Sequence, residues 1–410
     1  MSYIEIVSGH TSCDGPNMDI HALANYGYGV QIQEDIFSLN NKELAKAIAD
    51  RSCLVVISET IQALYGDRIQ SYLDQNFDTG AYKVFVCPSG EKNKTMETVV
   101  EICAQAKDFQ LDRDGLFIGV GGGIILDMVG FAASIYRRGT KYIKVPTTLV
   151  GQVDVAVGLK TGVNCFRSKN ILGNYYPAYH TLNDRVFLET LPTRELRCGM
   201  AEVIKMAIVC DGDLFDKIER ACLAEDEMDL SRIDYDIYKQ AMVRMMEELQ
   251  PNLLEANLER LVDFGHTFSM NFEIDSNHEI HHGEAVAIDM ALSCCIARAL
   301  GIFSEEECNR AIWVLKKSGL AIYDSAVCTI EALKRSIYDV RLHRKAVNLV
   351  VPPTIGQGVF IKSPDVLSDQ LLEKSVNMLR SYEKNCVNTD NQHSHNAKLS
   401  RDSALTLVGA

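Results

Sequence analysis

The chain lacks any apolar run near the roughly 20 residues that a membrane-spanning helix needs, so a helical membrane protein is excluded. Its first residues, MSYIEIVSGH, have no basic segment leading into an apolar core, and no secretory signal is expected. Positive charge is scarce: 41 Lys and Arg against 55 Asp and Glu leave a net charge of −14. Binding to a phosphate backbone needs basic stripes, so no nucleic-acid partner is expected. The 13 cysteines contain no CxxC pair, and Cys294 and Cys295 are adjacent. That excludes a regular disulfide or cysteine–zinc framework and points to reduced, mostly buried thiols in a cytoplasmic protein. Internal repeats are absent as well.

What is present changes character along the chain. The runs CLVVIS (53–58), YKVFVCP (82–88), GLFIGV (115–120) and YIKVPTT (142–148) have the length and composition of strands. Between them lie helical patterns such as TMETVVEICAQAKDF (95–109). Strands alternating with amphipathic helices imply βαβ units and a parallel sheet, hence an α/β fold. After about residue 185 the long segments have helical period, so a second, mainly α-helical domain is expected. A late extended stretch, 346–361, reads as a hairpin. From about residue 383 the chain turns polar and aperiodic, the composition of a disordered tail. The expected organisation is 1–185, 186–382 and a tail over 383–410; 410 residues suit two domains.

Three constellations carry chemistry. Gly119, Gly121, Gly122 and Gly123 lie between a strand and a helix, where a phosphate can approach backbone amides at a helix N-terminus. The spacing is not GxGxxG, because Ile124 stands where the third glycine belongs. PSGEKNK (88–94) follows another strand and offers Glu91 for a ribose hydroxyl and Lys94 for a phosphate. A second constellation is suited to a metal: His266 in DFGHTFS, His281, His282 and Glu284 in IHHGEAVAIDM, and Glu202 in GMAEVIKMA with Lys205 one turn later. Two histidines and a helical Glu fit a His2Glu zinc site with an open position. On a helix starting near 282, Asp289 shares a face with His282. The third is the basic stretch FRSKNILGNYYP (166–177), preceded by DVAVGLKTGVN (154–164), in an otherwise acidic chain.

The segments GGGIILDMVGFAAS, YRRGTKYIKVPTTL, QVDVAVGLKTGVN, KNILGNYYP, GMAEVIKMA, DFGHTFS and HGEAVAIDM, in this order, resemble the sugar phosphate cyclases, the superfamily of 3-dehydroquinate synthase. The resemblance spans about residues 50–365. It implies a Rossmann-like NAD domain followed by a helical domain, with zinc (cobalt(II) as an alternative) and substrate in the cleft between them. It makes Glu202, His266 and His282 the metal ligands. Asp154, Lys160 and Lys205 become catalytic residues, and Lys169 and Asn170 join the substrate site. Arg138 of YRRG matches an arginine that reaches a substrate phosphate from the partner subunit of a homodimer. Glu91, Lys94, Gly121, Gly122, Gly123, Asp127, Thr147 and Thr148 match NAD contacts. The basic stretch then reads as a sugar phosphate pocket, since a phosphate needs several charge-assisted donors.

Departures from dehydroquinate synthase bear on the substrate. Asp263 replaces an asparagine, Met270 a histidine and Asp289 a small residue, and Glu259 stands where an arginine is expected. A Glu there would repel a carboxylate. The pattern is most similar to the cyclases that act on sedoheptulose 7-phosphate, the 2-epi-5-epi-valiolone synthases. Asp263, Asp289 and His343 are accordingly expected to contact that substrate. Alternatives are a sister cyclase giving dehydroquinate, 2-epi-valiolone or desmethyl-4-deoxygadusol, and an NAD-dependent polyol dehydrogenase.

Overall fold

A computed structural model describes residues 3–14, 17–166, 168–224, 230–277 and 279–384. Two compact units emerge. One comprises the described residues up to Leu196 with Leu249–Leu254; the other comprises Arg197–Glu248 and the described residues from Glu255 on.

The first unit opens with a hairpin, β1 (Tyr3–Asp14) and β2 (Asn17–Gly27), followed by β3 (Val30–Gln33), α1 (Glu43–Ile48), β4 (Cys53–Ser58), α2 (Glu59–Asn76) and β5 (Tyr82–Cys87). Then come α3 (Met96–Asp108), β6 (Leu116–Gly121), α4 (Gly123–Ile135), β7 (Lys141–Pro146), the hairpin β8 (Lys160–Cys165) and β9 (Ser168–Tyr175), and β10 (His180–Asp184). Six strands form one sheet in the order β3-β10-β7-β6-β4-β5, and every pairing in it is parallel. All six residues of β4 and of β6 are buried, as strands covered on both faces must be. Val55, Ile57, Ile118, Val120, Ile143 and Val145 pack on one side, and Leu54, Val56, Phe117, Met128, Val129 and Tyr142 on the other. Ser58 and Thr95 cap α2 and α3 by accepting from the amides of Ile61 and Thr98. The strand order reverses between β4 and β6, and ligands of open parallel sheets bind beyond the carboxyl ends of strands at such a reversal. Gly121–Gly123 stand at that place.

The four strand runs expected from sequence match β4, β5, β6 and β7 within a residue or so. The 8-residue β9 carries no period-2 apolar pattern in the sequence, since most of its residues are exposed. The unit also runs past 185: Phe187 packs edge-on against Phe37 and Tyr65, and the Tyr65 hydroxyl hydrogen-bonds Thr190.

The second unit contains α5 (Thr193–Cys210), which begins just before its first residue, then α6 (Gly212–Ala224), α7 (Tyr235–Leu249), α8 (Ser269–Asp275), α9 (His282–Ala299), α10 (Glu305–Lys317) and α11 (Ile330–Arg344). The antiparallel hairpin β11 (Leu349–Thr354) and β12 (Gln357–Ile361) follows, within the stretch expected to form one, and α12 (Asp369–Lys384) ends the described chain. Helix α9 is the centre: every residue from Ala285 to Ala297 is buried, against α8, α10, α12 and β11. No helix of the described residues is long and apolar enough to cross a membrane. The expected tail lies outside the described residues from 385 on.

Candidate active site

In the second unit, three separated segments converge on one carboxylate. Helix α5 places Glu202 and Lys205 at i,i+3 on a single face, both about 1% exposed. The loop before α8 carries His266, and His282 is the first residue of α9. Two glycines make the approach possible. Gly283 meets α5 so closely that a Cβ there would lie 2.2 Å from the Cα of Cys198. Gly265 takes φ +78° immediately before His266, a conformation that L side chains rarely adopt.

Both imidazoles are oriented from behind. His266 Nδ1 lies 3.1 Å from the Phe264 carbonyl oxygen, and His282 Nδ1 lies 3.0 Å from Glu273 Oε1. Each Nε2 therefore faces Glu202 Oε1, at 3.9 Å from His266 and 3.2 Å from His282. One ligand atom from each residue falls within 4.8 Å of the others. Four-coordinate zinc, with bonds of about 2.0–2.2 Å, sets ligand atoms about 3.4 Å apart. The buried Glu202 carboxylate is met by Lys205 Nζ at 2.5 Å from Oε2 and by His282 Nε2 at 3.2 Å from Oε1. Two imidazole nitrogens and a carboxylate oxygen within 4.8 Å of one another are a donor set that fits a divalent metal. Burial pushes the Glu202 carboxyl up, but Lys205 and the two imidazoles outweigh it and hold it well below the usual carboxylate range. Burial and the Lys205 ammonium lower His266 to about 4. For His282, desolvation lowers the value, but bonds to Glu202 and Glu273 prevail and raise it to about 10.

Glu273 escaped the sequence reading. Its signal was the common pairing of a ligating histidine with a carboxylate, but MNFEID carries nothing that ties it to His282 before folding. Glu284 serves the helix: its Oε2 accepts from the His281 amide at the start of α9.

Two of the expected substrate contacts, Asp289 and Asp263, have partners within the chain. Asp289 is fully buried, and its Oδ2 accepts from the amides of Thr267, Phe268 and Ser269 at 2.8, 2.5 and 3.0 Å, while Oδ1 accepts from the Ser293 hydroxyl. It anchors the loop that follows His266. Burial pushes it up to about 6 against the pull of those bonds. Asp263 takes a bidentate contact from Arg260 at 2.8–3.0 Å and a second ion pair from Arg344 at 3.0 Å, so its carboxylate is committed to two guanidinium groups. Arg260 also pairs with Glu255. Glu259, by contrast, is at the surface, paired with Lys362 at 2.7 Å, and puts no buried negative charge near a substrate. The side chain of His343 lies outside the described residues.

In the first unit, residues assigned to cofactor and to substrate share one network. Lys94, 6% exposed, donates at 2.6 Å to both Asp127 Oδ2 and Asn170 Oδ1. Asn170 has φ +51°, and its amide donates to Asn164 Oδ1. Asn164 Nδ2 donates to Glu91 Oε1 at 2.7 Å, and Lys169 Nζ lies 3.6 Å from the same oxygen. The β8–β9 hairpin is thus tied to the turn after β5. Its residue Arg167 lies outside the described residues.

Gly121 and Gly122 follow β6 where side chains would not fit: a Cβ would lie 2.8 Å from Ile125 Cβ at the first and 3.0 Å from Thr148 Cγ2 at the second. The Thr147 amide donates to the Gly121 carbonyl. No side chain caps the N-terminus of α4 at Gly123, and a helix N-terminus suits an anion such as a pyrophosphate. Asp154 lies in a π-helical turn, Gly151–Val155, and Lys160, exposed, starts β8. Arg138 is exposed with φ +66° beside Arg137 at +50°, two left-handed non-glycine residues in succession. Such strain persists only where the surroundings fix it.

Comparison with known proteins covers both units. The family model described as 3-dehydroquinate synthase N-terminal matches residues 84–198, and that described as 3-dehydroquinate synthase C-terminal matches residues 199–339. The chain is 43% identical over 367 residues to a 2-epi-5-epi-valiolone synthase of Streptomyces glaucescens, covering 89% of this chain and 95% of that one. It is 33% identical to a 3-dehydroquinate synthase of Shewanella halifaxensis, over 87% of this chain and 97% of that one. Among solved structures, the 2-epi-5-epi-valiolone synthase of Streptomyces hygroscopicus subsp. jinggangensis, with NAD+ and Zn2+ bound, superposes with a TM-score of 0.81 at 37% identity, over 88% of this chain and 99% of that one. A Rossmann-like parallel sheet, a helical unit with an assembled Glu-His-His set, and matches of this extent place the chain in the 3-dehydroquinate synthase family of sugar phosphate cyclases.

Proposed function

We propose that the chain is an NAD- and zinc-dependent cyclase that converts sedoheptulose 7-phosphate to 2-epi-5-epi-valiolone with release of phosphate. The observation that carries the reading is 43% identity to a 2-epi-5-epi-valiolone synthase over 89% of the chain; the assembled Glu202–His266–His282 set supports it. Those three residues would hold zinc, and the Gly121–Gly123 turn with Thr147, Thr148, Asp127 and Glu91 would hold NAD. When bound, the metal supplies a Lewis acid and NAD a reversible hydride acceptor.

The chain's own residues bind and orient. Lys205, beside Glu202, donates to the hydroxyl that is oxidised. Asp154, Lys160, Lys169 and Asn170 supply charge-assisted contacts to the sugar phosphate. Arg138 of a second copy completes the phosphate contacts, which makes the working form a homodimer. Orientation in a site that excludes water carries the ring-forming step. The free thiols of the described cysteines suit a cytoplasmic enzyme.

The test is incubation of the purified protein with sedoheptulose 7-phosphate, following phosphate release and identifying the product by NMR. Phosphate with a carbocyclic product and no net NADH is expected. Accumulating NADH would replace this reading with a dehydrogenase. Phosphate from the carboxylated seven-carbon precursor of dehydroquinate, at a comparable rate, would replace it with the sister cyclase; with Glu259 at the surface, no buried negative charge at that position opposes a carboxylate.

A further inference from the structure

Lysine is almost never fully buried, yet Lys144 in β7 is 1% exposed. Its strand neighbours Ile143 and Val145 belong to the apolar core. The residue opposite it on β6 is Gly119, which adds no side chain to that space. The ammonium donates to the carbonyl oxygens of Val155 at 2.8 Å and Gly158 at 2.9 Å. These two carbonyls close the segment that begins as the π-helical turn, Gly151–Val155. Within that turn the Ala156 amide bonds Gly151, and the amides of Val157 and Gly158 both bond the Asp154 carbonyl. Single π turns are frequent at functional sites and depend on outside partners for the carbonyls they leave over. The start of the turn is held separately: Gln152 Nε2 donates to Pro146 and Asp184, and Asn183 Nδ2 donates to Gln152. Lys144 holds the other end, midway between Asp154 in the turn and Lys160 at the start of β8. The charged groups acting on it are Asp127 and Asp154, which raise its pKa, while burial, the larger effect, lowers it to about 8.

We infer that Lys144 is a positioning residue, its ammonium fixing the end of the π turn and thereby the placement of Asp154 and Lys160 against the substrate. The inference rests on the functional reading of those two residues given above. Lys144 acts through the turn and is assigned no contact with substrate or cofactor.

The test uses full-length protein loaded with zinc and NAD. Lys144→Met keeps the length and removes the donors. Its expected signature is a kcat with sedoheptulose 7-phosphate about 100-fold lower, the scale of losing charge-assisted hydrogen bonds to buried acceptors. KM, zinc content and NAD content stay within about threefold, while amides 156–158 exchange hydrogen at least about tenfold faster. Lys144→Gln, which donates to one carbonyl, falls between Met and wild type. Wild-type kcat and exchange in Lys144→Met overturn the inference. So does a parallel fall in kcat, NAD content and zinc content, which marks a merely structural lysine. If the Met variant does not fold, Lys144→Gln decides, and wild-type kcat in it overturns the inference. If the wild type itself releases no phosphate, the functional reading fails, and amide exchange alone still tests what Lys144 does to the turn.

Discussion

The two candidate regions treat charge in opposite ways. In the helical unit, a fully buried carboxylate faces the Nε2 atoms of two imidazoles, both fixed from behind by Phe264 and Glu273. In the sheet unit, the cations meet partners on their own chain: Lys94 has Asp127 and Asn170, Lys169 has Glu91, and Lys144 has two carbonyls. The difference teaches what each region is built to take. The Glu202–His266–His282 set has the donor types that suit a small, doubly charged ion. In the sheet unit the charges hold loops together, and the glycine turn after β6 keeps side chains away from its backbone.

The largest effect should come from breaking the first region alone. His282→Ala removes one of three ligands, and turnover should fall about 1000-fold or more, since metal-supplied charge stabilisation is worth several kcal/mol. Zinc content by elemental analysis should drop in parallel while NAD content holds; full activity in zinc-free protein would end the metal reading. Asp289→Ala should act on stability, because three backbone amides lose their acceptor. A loss of about 3 kcal/mol is expected in denaturant unfolding, with the preference for sedoheptulose 7-phosphate over the carboxylated sugar unchanged. A change of preference without a change of stability would return Asp289 to the substrate site.

The mirror-image test breaks the sheet unit. Gly122→Val sets a Cβ about 3.0 Å from Thr148 Cγ2 and crowds the glycine turn. NAD affinity by calorimetry should weaken tens of fold, roughly 2 kcal/mol of overpacking, with zinc content unaffected. Loss of zinc in this variant would mean the two regions are not separable. Proton release sharpens the contrast further. With His282 at about 10 and His266 at about 4, the metal-free site holds one proton that zinc must displace at neutral pH. Zinc affinity, measured by chelator competition, should therefore rise about tenfold per pH unit between about pH 5 and 9. A flat profile would show that His282 is already neutral. The smallest effect belongs to Glu259→Ala: an exposed pair with Lys362 is worth about 0–1 kcal/mol, so substrate preference and stability should both hold. A gain of turnover on the carboxylated sugar would restore Glu259 as a selectivity residue.

Sequence alone determined what local chemistry enforces. Apolar runs of strand length gave β4 to β7, glycines after β6 marked the turn at the strand reversal, and Glu202, His266 and His282 stood out because few residue types bind metal. Helical period even put Asp289 on the correct face of α9. It could not say what filled the space beyond that face, and the neighbour proved to be the backbone of 267–269. Glu259 and Arg260 are adjacent in sequence, and only the turn geometry decided that the arginine goes in and the glutamate out. Glu273 and Lys144 were invisible for the same reason. Each acts through a partner 9 or more positions away in the chain, and period and spacing report only on a residue's near neighbours. Which buried polar atom meets which is set when helices and strands pack, because every such atom must then find a partner in three dimensions.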